Sequence, residues 1–127
     1  MERYLIDTNV IANYFLNIFS EAGMFFLTNI IDKTPFISVI TKIEALSWKS
    51  QNIEKENIVK IFVNFSNIIE LSDNIVNKCI DIRRICRIKT PDAIIAATAI
   101  VNDMILITSD SDFKRIPTLK IINPFNL

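Results

Sequence analysis

Short apolar segments alternate with stretches of helical periodicity along the chain, and this alternation constrains the fold more than any other feature. Tyr4-Leu5-Ile6 is short and fully apolar, as expected of a buried strand, and comparable segments occupy 36–39, 68–71, 104–107 and 119–122. The intervening stretches repeat apolar residues at helical spacing. Strands that alternate with helices favour a parallel sheet covered on both faces. The sequence therefore predicts an α/β fold, a three-layer α/β/α sandwich around a parallel five-stranded sheet.

Length and composition favour one domain over residues 1–127, with no visible linker or repeat. Mean hydropathy is +0.34, but no apolar run approaches the roughly 20 residues that span a bilayer. The N-terminus lacks a secretory signal pattern, so we expect a cytoplasmic protein without a membrane partner. Cys79 and Cys86 are seven positions apart in a helical stretch, about 10 Å along the axis, which exceeds disulfide reach. Both are expected to be reduced.

Two helices can be placed in more detail. Thr90-Pro91-Asp92 is typical of a helix start, with Thr90 as the N-cap, Pro91 as the first helical residue and Asp92 in the first turn. The stretch 54–65 has helical periodicity as well. Its inner face is predicted to carry Ile58, Ile61, Phe62 and Phe65.

Four acidic residues lie in or beside apolar segments, where an unpaired carboxylate is costly. Asp7 ends the first strand, Asp110 follows the fourth, and Asp92 opens a helix. Glu44 lies about one turn into the helix after the second strand. Ligands of parallel α/β sheets bind beyond the carboxyl ends of the strands. We therefore expect all four acids to meet at one edge of the sheet.

Each acid also has a purely structural interpretation. Asp7 suits a turn, Asp92 suits the positive end of a helix dipole, and Asp110 with Asp112 lies in a turn-forming Ser-Asp-Ser-Asp sequence. Glu44 is the hardest to explain in this way. It shares a helical face with the apolar Ile40 and Ile43, so its side chain is expected to point along the buried stripe.

A shared metal site explains the four acids together, because clustered carboxylates repel one another and a divalent cation removes that conflict. The chain has no histidine, so oxygen ligands would hold the ion, which favours Mg²⁺ or Mn²⁺ over Zn²⁺. Such an ion can activate water and stabilise charge on a phosphoryl oxygen. Metal-assisted phosphodiester hydrolysis is the chemistry best served, whereas a serine–histidine–acid mechanism is excluded.

The motifs resemble those of a PIN domain in order and spacing over essentially the whole chain. They are Leu5-Ile6-Asp7-Thr8-Asn9-Val10-Ile11, the Glu44 helix, Lys89-Thr90-Pro91-Asp92-Ala93-Ile94-Ile95-Ala96-Ala97-Thr98-Ala99 and Leu106-Ile107-Thr108-Ser109-Asp110-Ser111-Asp112-Phe113. Length and organisation are most similar to the VapC toxins of toxin–antitoxin pairs. A glycine frequent before the family's fourth strand is replaced here by Asn102-Asp103, both of which tolerate a left-handed conformation.

The resemblance implies a Mg²⁺- or Mn²⁺-dependent endoribonuclease with strand order 3-2-1-4-5. Asp7, Glu44, Asp92 and Asp110 match the family's acidic quartet, of which Asp7, Asp92 and Asp110 would ligate metal. Asp112 matches a further, secondary acid. The positions at which the family orients ligands and phosphate with polar groups are occupied by Thr8, Asn9, Thr108 and Ser109.

Net charge is zero, which gives no global signature of nucleic-acid binding. A local basic segment precedes Asp92 and comprises Arg83, Arg84, Arg87 and Lys89. It fits either a solvated helix face or a phosphate clamp for RNA.

The first two helices carry more large apolar residues than one inward stripe needs. They are Tyr14, Phe15, Leu16, Phe19, Met24, Phe25, Phe26 and Leu27. Core packing is one explanation, and an exposed groove for an antitoxin helix is the other. The resemblance to VapC also implies a homodimer.

Three other functions are compatible with parts of the sequence. They are a non-catalytic interaction module with this fold, a PIN nuclease with a housekeeping role in RNA processing, and a parallel α/β phosphatase or phosphotransfer domain. The last is disfavoured, because Asn9 occupies the place of the second acid that such enzymes often carry.

Overall fold

The computed structural model describes residues 2–127. Its strands are β1 Tyr4–Ile6, β2 Phe36–Ser38, β3 Asn67–Ile69, β4 Ile105–Ile107 and β5 Ile121–Ile122. Its α-helices are α1 Thr8–Phe15, α2 Glu21–Asp32, α3 Val39–Ser47, α4 Ile53–Phe65, α5 Asp73–Ile85 and α6 Thr90–Val101. Short 3₁₀ helices occupy Ser111–Arg115 and Pro124–Asn126.

The five strands form one parallel sheet in the order β3-β2-β1-β4-β5. This confirms both the predicted fold class and the strand order implied by the resemblance. In the central pair, Leu5 lies opposite Leu106 and Ile6 lies opposite Ile107. The register therefore brings the residues that follow these strands to the same edge.

Two apolar layers cover the sheet, because successive strand residues point to opposite faces. Leu5 and Leu106 pack with buried residues of α5 and α6, including Ile82. Ile6 and Ile107 pack on the other face, against buried residues of α1, α2 and α4. This arrangement is the predicted α/β/α sandwich.

The start of α6 differs by one residue from the prediction. Lys89 is the N-cap residue and Thr90 is already helical, so Thr90 is not the N-cap. Pro91 is still tolerated, because the first turn of a helix does not need its N–H group. No side chain caps this end, and Asp92 lies in the first turn as expected.

The predicted inner face of α4 is wrong at three of its four positions. The buried residues are Val59, Phe62 and Val63, whereas Ile58, Ile61 and Phe65 are exposed. The helix carries apolar residues around most of its circumference, so its periodicity fits more than one stripe. Packing on the sheet selects the stripe that includes the smaller valines.

Both cysteines are free thiols, as expected; Cys79, in α5, is buried and Cys86 is half-buried. No helix within residues 2–127 has both the length and the apolar character needed to cross a membrane.

Candidate active site

Asp7 is the buried centre of the site. It follows β1 directly, and only 5% of its surface is exposed. One carboxylate oxygen, Oδ1, accepts a hydrogen bond from the backbone N–H of Thr8 at 2.8 Å, which caps α1. The other, Oδ2, accepts from the hydroxyl of Thr108 at 2.7 Å. The side chain is thus fixed between the ends of β1 and β4.

The environment of Asp7 disfavours its charge. The pKa of Asp7 is raised from 3.8 to about 6, mainly by burial, and the negative charges of Asp92 and Glu44 contribute to this rise. The hydrogen bonds from Thr108 and Thr8 act in the opposite direction but are outweighed. The protein therefore holds a carboxylate that titrates near neutral pH in the absence of a cation.

Asp92 lies in the same electrostatic environment. Burial is the main reason that the pKa of Asp92 is raised, followed by repulsion from Asp110 and Glu44. Asp112 adds a smaller repulsion, whereas Lys89 lowers the pKa of Asp92. Residues from three segments, at Glu44, at Lys89 and at Asp110 with Asp112, thus act on one carboxylate. The structure gathers the four predicted acids at the carboxyl edge of the sheet.

Glu44 reaches this edge in a different way from the prediction. Its side chain is exposed and does not follow the buried stripe of α3, which carries Thr41 and Ala45. Ile43, on the expected apolar face, is 56% exposed. A hydrogen bond of 2.7 Å from the hydroxyl of Thr8 to Oε1 holds Glu44 beside α1. Glu44 therefore lies on the solvent-exposed side of the site.

The segment after β4 supplies a second layer of contacts. The hydroxyl oxygen of Thr108 accepts from the N–H of Asp110 at 3.1 Å. Asp110 in turn caps the following 3₁₀ helix, since its Oδ1 accepts from the N–H of Asp112 at 2.9 Å. Thr108 consequently contacts both Asp7 and Asp110. Ser109, between Thr108 and Asp110 in the sequence, is half-buried.

Asn9 and Arg115 add two features. The Oδ1 atom of Asn9 is buried and has no hydrogen-bond partner among residues 2–127. Arg115, which sequence reasoning missed, donates to Asp112 at 3.4 Å and to the backbone carbonyl of Arg87 at 3.1 Å. Its spacing of three residues from Asp112 was the signal available in the sequence. Arg115 joins the acidic turn to the basic segment.

The basic segment divides into two parts. Lys89 lies close enough to Asp92 to lower its pKa. Arg83 and Arg84 instead line a groove of about 530 Å³ between α5 and α6, together with apolar residues such as Ile80. The structure therefore brings Lys89 to the acids and places these two arginines along a neighbouring surface.

The donor set fits a hard divalent cation. The carboxylates of Asp7 and Glu44 accept from the hydroxyls of Thr108 and Thr8, and burial with repulsion between acids raises the pKa values of Asp7 and Asp92. Among residues 2–127, however, no three acidic or cysteine side chains converge into a ready-made ligand set. Mg²⁺ typically keeps several waters and uses only one or two carboxylates. An open acidic pocket suits that mode of binding.

Comparisons with known proteins agree with this fold. The sequence matches the model of the PIN domain over residues 4–119. The chain is similar to VapBC2 from Rickettsia felis bound to a DNA fragment from their promoter, with 26% identity, a TM-score of 0.76 and coverage of 94% of this chain and 97% of that chain. It is also similar to a toxin–antitoxin complex from Klebsiella pneumoniae, with 28% identity, a TM-score of 0.72 and coverage of 95% and 97%.

DNA-bound VapBC from Salmonella typhimurium shares the fold at 22% identity, with a TM-score of 0.81 and coverage of 98% of this chain and 99% of that chain. A search of the curated proteins gives no match. Because the family model spans residues 4–119, nearly all of the sequence, and the strand order is the one that the resemblance implied, the chain belongs to the PIN domain family.

Proposed function

We propose that this protein is a VapC-like toxin, a Mg²⁺- or Mn²⁺-dependent endoribonuclease. The observation that carries the proposal is Asp7, a buried carboxylate whose pKa is raised to about 6 and on which the acids Asp92 and Glu44 act. Such a group is costly unless a cation neutralises it. Similarity to VapBC and toxin–antitoxin complexes supports the toxin assignment.

In the proposed mechanism, Asp7, Asp92 and Asp110 would hold the divalent ion, directly or through water. When bound, the ion lowers the pKa of a water ligand and stabilises charge on the phosphoryl oxygen. Glu44 orients the attacking water and accepts its proton, while Thr108 holds Asp7 in place. Hydrolysis would leave 5′-phosphate and 3′-hydroxyl ends, as the resemblance to the family implies.

The RNA would approach the acidic site across Arg87 and Lys89, which form a basic rim beside it. Lys89 lies beside Asp92, and Arg87 is held by Arg115 at the same edge. Cations at these positions are suited to contact phosphates on either side of the scissile bond. The neutral net charge of the chain makes this local rim the main source of RNA affinity.

An antitoxin partner and a homodimer are part of the same proposal, which places the protein in the cytoplasm. Of the large apolar residues in the first two helices, Phe19 and Leu27 belong to the core, whereas Leu16 and Phe25 are 57% and 73% exposed. Core packing thus explains only some of them. The exposed remainder suits the apolar face of an antitoxin helix.

The test is RNA cleavage by the purified protein with Mn²⁺, with Mg²⁺ and with EDTA. Asp7→Asn and Asp92→Asn should each lower the rate at least about 100-fold, because each removes a proposed metal ligand. Asp81→Asn, an exposed acid in α5, is the matched control and should cleave at the wild-type rate. Undiminished cleavage by Asp7→Asn would refute the mechanism. Absence of both Mn²⁺ binding and cleavage in the wild-type protein would favour a non-catalytic module.

A further inference from the structure

Three hydroxyls lie in a row behind Glu44, although no metal or substrate role explains the inner two. The Ser38 and Thr41 side chains meet at 3.4 Å between their hydroxyl oxygens, and both residues are completely buried. The hydroxyl oxygen of Thr41 lies 3.2 Å from that of Thr8. Thr8 then donates to Oε1 of Glu44 at 2.7 Å. The row therefore connects the buried start of α3 to the acidic pocket.

The hydroxyl of Thr8 serves two acceptors. It donates to Oε1 of Glu44 at 2.7 Å and to the hydroxyl oxygen of Thr41 at 3.2 Å, so the shorter contact takes the larger share of its single hydrogen. The oxygen of Thr41 also accepts from the hydroxyl of Ser38, whose own oxygen accepts from the N–H of Thr41 at 3.1 Å and caps α3. The Thr41 oxygen therefore holds the Thr8 hydroxyl from its buried side.

Packing alone does not require the hydroxyl of Thr41. Buried positions in a helix ordinarily carry apolar side chains, and a buried hydroxyl needs a partner to offset its desolvation. Valine has nearly the shape of threonine and would suit a buried position on α3. The hydroxyl of Ser38 caps α3, whereas the described partners of the Thr41 hydroxyl are Ser38 and Thr8, and Thr8 contacts Glu44.

We propose that Thr41 is a positioning residue that fixes Glu44 through the Thr8 hydroxyl. The inference rests on the proposed nuclease function, in which Glu44 orients the attacking water. With Oε1 held by Thr8, the other carboxylate oxygen of Glu44 has no hydrogen bond or ion pair among residues 2–127 and is available to that water. Without the Thr41 hydroxyl, Thr8 loses the buried acceptor that helps to set its rotamer, and Glu44 samples other orientations.

The kinetic test compares Thr41→Val with Thr41→Ser. Thr41→Val should lower kcat by about 10-fold with KM for RNA unchanged, the size of effect seen when a residue behind a reacting group is lost. Thr41→Ser keeps the hydroxyl and should stay within about two-fold of wild type by the same measure. In a Glu44→Gln background, Thr41→Val should cause no further loss, because the residue acts only through the Glu44 carboxylate. An equal loss in both backgrounds would overturn the proposal.

A second measurement is independent of activity. In metal-free protein, the NMR signal of the Glu44 side-chain carboxyl carbon should shift or broaden in Thr41→Val and remain as in wild type in Thr41→Ser. If Thr41→Val does not fold, Thr41→Ala takes its place in both experiments. An unchanged Glu44 signal in the folded variant refutes the positioning role even if cleavage is reduced. An inactive wild-type protein refutes the nuclease function instead, while the NMR comparison still decides the role of Thr41.

Discussion

Asp7→Asn should make the metal-free protein more stable while abolishing its proposed activity. Asp7 is 5% exposed, and its pKa is raised from 3.8 to about 6, chiefly by burial. An unfolded chain ionises this carboxyl more readily than the folded chain does. The folded state is therefore penalised wherever the group is charged, and asparagine removes that penalty without changing the shape of the side chain.

The size of the effect follows from the two pKa values. A difference between 3.8 and about 6 corresponds to a penalty of about 3 kcal/mol at pH 7.5, at about 1.36 kcal/mol for each pKa unit. Asparagine can accept through one oxygen only, so the Thr108 hydroxyl must find a new acceptor at a cost of about 1 kcal/mol. The net stabilisation should be about 2 kcal/mol.

The stability difference between Asp7→Asn and wild type should also change with pH in one direction. Because the folded-state pKa of Asp7 is raised, its contribution is most favourable below about pH 4, is lost as pH rises to about 6, and is constant above that. The stability advantage of Asp7→Asn should therefore be largest at pH 7.5 and nearly absent at pH 4. The raised pKa of Asp92 adds a loss of the same sign in the wild-type protein.

Urea unfolding in EDTA at pH 4, 5, 6 and 7.5 measures this for wild type, Asp7→Asn and Asp81→Asn. Asp81 is exposed in α5 and controls for the loss of one negative charge. It should give no pH-dependent advantage. The raised folded-state pKa of Asp7 is refuted if Asp7→Asn is no more stable than wild type at pH 7.5, or if its gain in free energy of unfolding does not shrink on acidification.

Three further outcomes are expected. Mn²⁺ affinity, measured by calorimetry, should fall up to about tenfold per pH unit below pH 6, because a proton then competes for Asp7; a flat profile between pH 5 and 7 would contradict this. Replacing Arg87 and Lys89 together by alanine should raise KM for RNA and lower its salt slope by about 1 per lost phosphate contact, unlike the same change at Lys55 and Lys60 on α4. Gly23→Ala should destabilise by about 1–3 kcal/mol in urea unfolding, despite the better helix propensity of alanine, because its Cβ would lie 2.7 Å from the carbonyl oxygen of Pro124; a more stable variant would refute this.

Topology made much of the candidate site predictable. The end of a buried parallel strand fixes where the next residue lies, so Asp7 and Asp110 could be placed at one edge from the apolar segments that precede them. Asp92 was placed by the Thr-Pro-Asp helix start, even though the helix begins one residue earlier than predicted. These placements depend only on where the strands end and where the helix begins.

Side-chain direction on helices was less predictable, for a physical reason. A helix with apolar residues on most of its circumference has several stripes of similar hydrophobicity, and contacts with distant elements choose among them. Such contacts bury Val59 in α4 and leave Ile61 exposed, and they bury Thr41 in α3 and turn Glu44 outward. The spacing of Ser38, Thr41 and Glu44 at three-residue intervals was visible, but their hydrogen bonds depend on Thr8 from another helix.

Metal binding should stabilise the folded protein by almost the same free energy as the buried charge of Asp7 costs it. An ion that binds only the folded state, at 100 times its Kd, stabilises that state by about 2.7 kcal/mol. The penalty at Asp7 is about 3 kcal/mol at neutral pH, so saturating Mn²⁺ should bring the wild-type protein close to the stability of Asp7→Asn, which the ion should hardly affect. Equal stabilisation of both proteins by Mn²⁺ would place the ion elsewhere. A buried acid that destabilises the metal-free fold is thus expected where its carboxylate serves to bind a cation.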